Sequence, residues 1–464
     1  MNTPSLRSAV LRGGVYVIIR QAVGTAINVV GVLLLTRAIG PGEYGVYATA
    51  SGLFVAVQLV AQLGVGIFLI RTEREIEHET CWQASTLLLL LALGGLAVGI
   101  ATLPLVVRWT RIPGIAPAAL AVYAMLPLSN LAQVPLARLE RALDYKKVAW
   151  TELASQTGFF AVALPLAFAG AGAWAAVSGF CAQQLLLFLL THMAARYQPK
   201  LYWSRPIARE IVAYGSGYTA SLWLYSLRRL VNPLVVGRYA GADAVGIVAL
   251  ATQIVTHLSF AATATARLSM AALARVQTSV EKLRRAISEG MRLQTLAVGP
   301  IVLVFGWLAP TVVPALLGKS WQNVALIYPY MGIWILANSV FNLESSALYV
   351  LRRNREMAIF HTVQTLLLVI AALLLVPRMG MIGYGFAELV ALASYVVLHG
   401  YTARYIGALG FARNLALAAA FGAVILINAA NVWSLAALAL LAVLLRPWRD
   451  VAAVISDLRG MAYD

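Results

Sequence analysis

The stretch Thr36-Arg37-Ala38-Ile39-Gly40-Pro41-Gly42-Glu43-Tyr44-Gly45-Val46-Tyr47-Ala48 returns in looser form 201 residues further along the chain. There Gly237-Arg238-Tyr239-Ala240-Gly241 opens a run that ends at Ala249, placing Arg37 over Arg238, Gly40 over Gly241, Gly45 over Gly246 and Ala48 over Ala249. Each copy lies between two long apolar runs, so each reads as the tight turn joining a pair of spans. A duplicated turn of this kind is the mark of a chain built from two parallel copies. A looser match relates Arg141-Ala142-Leu143-Asp144-Tyr145-Lys146 to Arg353-Asn354-Arg355-Glu356-Met357.

The apolar runs around these turns are long enough to cross a bilayer, which takes about 20 helical residues. Of 464 residues, 61% are hydrophobic and 11% charged, and the mean hydropathy is +0.81. A soluble domain carries about 25% charged residues. Fourteen spans are expected, at 14–36, 44–70, 83–107, 117–139, 150–170, 173–195, 211–236, 243–267, 293–317, 324–351, 357–376, 381–403, 411–428 and 432–445. The fold class is therefore an all-α polytopic membrane protein. The repeat divides it into an N-lobe of six helices (1–200), a C-lobe of six (201–406), and two further helices with a tail (407–464).

Loop charge gives an independent reading, because Lys and Arg accumulate on the cytoplasmic side. With the N-terminus inside, twenty-six of the 35 Lys and Arg fall on alternate, inside segments and six on outside turns. Both termini are expected in the cytoplasm of a cell with the protein in its inner membrane. The net charge of +17 is thus a topological signal and does not call for nucleic acid. Cys81 and Cys181 form no disulfide framework or metal-ligand spacing, and the first apolar run is too long for a signal peptide.

Three basic residues remain, all inside spans: Arg20 in the first, and Arg228 with Arg229 in the seventh. A charge at mid-bilayer costs about 2.5–3.5 kcal/mol on insertion scales, so a retained one is a functional candidate. Guanidinium stays charged and makes paired hydrogen bonds to phosphate oxygens, which makes these three the candidate anion, specifically pyrophosphate, ligands. Arg20 is the shallower, about 10 Å along its helix. Asn28 follows Arg20 at helical spacing, while Tyr218, Tyr225 and Asn232 recur every seven residues beside the pair. With Gln253 and His257 on the eighth span and His361 and Gln364 on the eleventh, these are the cavity-lining candidates. Glu344 and Glu388, also within spans, are candidates to neutralise an arginine or to carry a coupling proton or sodium ion. At the cytoplasmic ends, Arg138, Arg141, Arg352 and Arg353 are placed to attract an anionic headgroup.

The turn Thr36 to Ala48 resembles that after the first helix of Wzx-type polysaccharide flippases, within the multidrug/oligosaccharidyl-lipid/polysaccharide superfamily. Arg138-Leu139-Glu140-Arg141-Ala142-Leu143-Asp144-Tyr145, Leu316-Leu317-Gly318-Lys319-Ser320-Trp321 and Arg352-Arg353-Asn354-Arg355 agree and fall in the family's order. The resemblance implies two six-helix lobes around a central cavity, alternating access, and movement of a polyprenyl-pyrophosphate-linked glycan from the cytoplasmic to the outer leaflet. Its implied partners are the lipid-linked oligosaccharide, membrane lipids and polysaccharide assembly proteins.

Two alternatives within transport are a lipid II-type flippase and a multidrug-type cation antiporter. The antiporter branch often places an acid in its first helix, where this chain has Arg20. A membrane glycan polymerase or ligase would need an appreciable outer loop, and the outer loops here are short. No phosphate-binding glycine loop, metal cluster or nucleophile motif is visible, so a non-enzymatic carrier without a cofactor is expected.

Overall fold

The computed structural model describes residues 6–72, 77–259, 279–407 and 412–426, with backbone alone at 6–20, 216–225 and 412–413. All regular elements among the described residues are helical. In chain order the α-helices are α1 (Leu6–Gln62), α2 (Val65–Arg71), α3 (His78–Thr110), α4 (Ile115–Tyr123), α5 (Leu126–Leu131), α6 (Gln133–Arg141), α7 (Tyr145–Phe168), α8 (Ala173–Ala195) and α9 (Arg205–Leu227). After a 3-10 turn (Arg228–Leu230) and a π-helical turn (Asn232–Val236) come α10 (Gly237–Leu258), α11 (Val280–Leu317), α12 (Val324–Val350), α13 (Asn354–Ala391), α14 (Tyr395–Ile406) and α15 (Ala412–Leu426).

Eight helical segments among the described residues are long and apolar enough to cross a membrane. Several hold two of the expected spans: α1 runs through the first and second, and the segment Asn354–Ile406 through the eleventh and twelfth. The fourteenth span and the tail lie outside the described residues. Large apolar side chains point outward from these helices, with Leu105 and Phe168 70%, Met193 73% and Val396 76% exposed. Such exposure is costly in water and costless against lipid tails. The protein is a multi-pass membrane protein.

The repeat is written into the backbone. Gly40 interrupts α1 at φ 78°, ψ 172°, and Gly241 interrupts α10 at φ 81°, ψ 179°. A Cβ would be strained at both, so glycine is what lets each turn form. A second pair of turns shares a positive φ on residues other than glycine, Leu143 at 55° and Arg352 at 58°. Leu143 N–H donates to Glu140 O at 3.0 Å and Asp144 N–H to Leu139 O at 3.0 Å; Arg352 N–H donates to Tyr349 O at 3.0 Å and Arg353 N–H to Leu348 O at 2.8 Å. These are the two bonds of a Schellman motif. They set the register of the looser match as Leu143 over Arg352, and Asp144 over Arg353.

By compactness the chain divides into Met1–Gly246 and Ile247–Asp464. In the first unit α7 packs on α8 and α1, and α4 packs on α1 and α3. A cluster of Val65, Phe68, Leu69, Leu88, Val134 and Ile211 anchors the start of α9. The two copies of the turn meet inside this unit. A Cβ on Gly45 would lie 1.9 Å from Ala242 O, and one on Gly246 would lie 2.1 Å from Pro41 O. At the offset of 201 these are the same contact made twice, so the turns pack face to face about a local two-fold.

In the second unit α12 is central, flanked by α11, α13, α14 and α15. Its interior buries Gln294, Glu344, Gln364, Glu388, Thr402 and Asn414, an unusually polar set for helices in lipid.

Candidate anion site at a broken helix

The seventh span carries Asn232-Pro233 in its second half. Proline lacks the N–H that would close an α-helical turn, and its ring clashes with the carbonyl four residues earlier, here that of Arg229. The chain accommodates this by tightening into the 3-10 turn Arg228–Leu230 and then widening into the π-helical turn Asn232–Val236. Such irregular turns recur at functional positions in helices. Both arginines therefore sit on the break, Arg228 half-buried and Arg229 exposed.

Neighbouring elements complete the site. Trp109 of α3 donates its Nε1–H to Leu234 O at 2.9 Å, capping a carbonyl of the π turn. Asn232 Nδ2 donates to Val245 O at 3.2 Å, tying the break to α10, while its buried Oδ1 has no hydrogen-bond partner among the described residues. Pro233 is buried with Gly52 of α1 beside it, a Cβ there lying 3.6 Å from the proline ring. Arg238 stacks over Trp109 at 5.5 Å. The break is thus held by specific contacts, as irregular backbone in lipid has to be.

The remaining sequence candidates are distributed as follows. Asn28 is half-buried on α1; the side chains of Arg20, Tyr218 and Tyr225 lie outside those described. Gln253 and His257 are half-buried on α10, in the part of that helix belonging to the second unit. His361 Nε2 lies 3.4 Å from Tyr349 Oη, and Gln364 is buried. Glu388 accepts from Tyr384 Oη at 2.8 Å. Glu344 accepts from His399 Nδ1 at 3.0 Å.

The basic residues at the ends of the spans have distinct settings. Arg141 donates from Nη1 to Leu69 O at 3.0 Å and Thr72 O at 2.6 Å, capping α2. Arg138 stacks on Tyr197 at 5.3 Å and lines a cleft of about 650 Å³ with Asp144, Lys147 and Arg196. Burial raises the Asp144 carboxyl, but its hydrogen bonds to Lys147 and the charges of Lys147 and Lys146 outweigh that and hold it below the ordinary value. Arg353 stacks on Tyr405 at 4.1 Å, while Arg352 is exposed at the Schellman turn. Sequence reasoning did not single out Trp109 or His399, since a lone aromatic or histidine in an apolar run has no period to mark it. The break itself had a signal in Pro233 that the apolar run concealed.

Residues 34–326 match the family described as polysaccharide biosynthesis protein. The chain belongs to that family. Among its relatives is the succinoglycan biosynthesis transport protein ExoT of Rhizobium meliloti (strain 1021), 21% identical over 351 residues, covering 73% of this chain and 68% of that protein. The fold is shared with solved transporters: the lipid II flippase MurJ in an inward closed conformation superposes with a TM-score of 0.72 at 12% identity, over 94% of this chain and 99% of that one. An inward-facing multidrug transporter of the MATE family matches with a TM-score of 0.54 at 15% identity, over 84% and 98%. The chain thus belongs to the polysaccharide biosynthesis family and has the fold of these solved transporters.

Proposed function

We propose that this family member flips a polyprenyl-pyrophosphate-linked oligosaccharide from the cytoplasmic to the outer leaflet by alternating access, with Arg228 and Arg229 holding the pyrophosphate. The observation that carries the reading is the placement of two adjacent arginines on a 3-10 turn within an apolar span. At three residues per turn they point about 120° apart, so they reach different oxygens of a diphosphate. Arg20, shallower on the first span, serves entry of the headgroup, aided by the basic ends at Arg138, Arg352 and Arg353. The chemistry also favours an anionic cargo over the organic cation of a multidrug reading, for which deep carboxylates would be wanted.

The test is leaflet translocation of fluorescent polyprenyl-pyrophosphate glycans in proteoliposomes, for the wild type and for Arg228→Ala combined with Arg229→Ala. Each charge-assisted hydrogen bond lost costs about 1.5–3 kcal/mol, so loss of even one per arginine slows transport by about a hundredfold or more. Undiminished translocation by a double variant of equal thermal stability would remove the arginines from the mechanism. Exchange of organic cations for protons, with no lipid movement, would overturn the cargo assignment.

A further inference from the structure

Glu344 is fully buried on α12, with 0% side-chain exposure, and its Oε1 lies 3.0 Å from Nδ1 of His399 on α14, whose side chain is 22% exposed. Oε2 is buried and has no hydrogen-bond partner among the described residues. Thr402, one turn beyond His399, also brings its hydroxyl to the carboxylate, besides its bond to Leu398 O at 3.0 Å, and is not titratable. A carboxylate needs several donors to offset the loss of water, and this one has a single titratable partner on one oxygen.

The helices packed on α12 bring few other charges to this level. α13 carries His361, which is set against Tyr349, and Glu388, set against Tyr384. On α11, Gly290 faces Leu343, with Glu289 exposed and Arg292 half-buried nearby in sequence, followed by the neutral, buried Gln294. α15 contributes Asn414, buried and uncharged. Among the described residues the group in contact with Glu344 that can change its charge is His399.

We propose that Glu344 and His399 form a proton-binding site in the second unit, through which protonation is coupled to transport; the coupling clause rests on the transport reading above. Held as the ion pair Glu−/HisH+, the site would carry one mobile proton and be neutral overall, with Nδ1–H donating to Oε1 across the 3.0 Å contact. A second proton, entering from the exposed edge of His399, adds to the open Oε2 and leaves GluH/HisH+. Nδ1–H then still donates to Oε1, and the net charge passes from 0 to +1. An unbalanced cation in a low-dielectric interior is costly, so the doubly protonated pair favours a conformer in which water reaches His399. That difference in proton affinity between conformers is what coupling requires.

The site is tested on the full-length protein reconstituted in vesicles, with protons as the only ligand, by infrared difference spectroscopy between acidic and neutral pH. The carbonyl band of a buried protonated carboxylic acid is expected to grow on acidification in the wild type and in E388Q. It should be lost in E344Q, and its midpoint should shift in H399Q, with thermal unfolding of each variant showing that it is folded. A band that persists in E344Q, or a midpoint unmoved in H399Q, overturns the site. Vesicle transport under an imposed pH gradient is the second arm. Loss of gradient acceleration in E344Q, with unaccelerated flipping retained, is the expected result. Full acceleration in E344Q overturns the coupling while leaving the flippase reading intact, and absence of flipping in the wild type indicts the cargo, with the infrared result unaffected.

Discussion

Replacing Gly45 by alanine puts the duplicated turn under direct strain. The new Cβ would sit 1.9 Å from the Ala242 carbonyl oxygen, where contacts below 3.0 Å essentially never occur, so the two backbones must part by about 1 Å. Both partners are main chain and neither can swing aside. Overpacking of this kind costs about 1–3 kcal/mol, and the upper end applies here. Alanine in a helix regains up to about 1 kcal/mol over glycine, leaving a net loss of about 2 kcal/mol. Gly246→Ala meets Pro41 O at 2.1 Å and should lose about as much. Because one separation relieves both contacts, the double variant should lose distinctly less than the two singles together, the signature of coupled sites. Gly42→Ala is the control: its Cβ meets the Asp243 side chain at 2.9 Å, which can rotate away, and the cost should stay below about 0.5 kcal/mol. The assay is reversible denaturation of the detergent-solubilised protein, followed by tryptophan fluorescence. Gly45→Ala as stable as Gly42→Ala, or a strictly additive double variant, would refute the face-to-face packing of the turns.

Two further outcomes follow from the ends of the spans. Arg141→Ala removes both hydrogen bonds that cap α2 and should lower stability by about 3 kcal/mol, at about 1.5–3 kcal/mol for each charged bond; Arg141→Lys should recover only part of it, because an ammonium lacks the fork. Asp144 has its carboxyl held below the ordinary value, so its contribution is fully present above the unfolded-state value of about 4 and is lost as pH falls through the lower folded-state value. Asp144→Asn should remove that part of the acid-side decline in a melting-temperature profile; an identical profile would show that the Lys147 contact contributes nothing.

Much of this architecture could be read from the chain because its strongest signals are periodic or positional. The turn at Gly40 and its copy at Gly241 needed glycine for a backbone reason, and that reason left a mark in sequence. The Schellman turns did not: Leu143 and Arg352 adopt positive φ without glycine, so the match around them could be seen but not registered. The interior of the second unit was harder still. Glu344 stood out as an acid in an apolar run, but its neighbour His399 lies 55 positions away on another helix, and only the packing of α12 against α14 brings the two together.

The seventh span shows where a duplicated chain departs from its own repeat. At the offset of 201, Asn232–Val236 lies over Gly31–Leu35, where α1 continues as regular helix, with Leu35 buried and Gly31 set so closely under the Phe160 ring that a Cβ would come within 2.4 Å. The first copy therefore spends this stretch on tight packing, and no proline interrupts it. The second copy has Pro233 and abandons the α-helical ladder, and Trp109 donates to the Leu234 carbonyl within the π turn. The turns that follow are nevertheless equivalent, down to their shared glycine conformation and reciprocal contact. The arginines stand on the 3-10 turn that leads into that divergent stretch, which is why we propose the anion site on the seventh span rather than sharing it equally with the first.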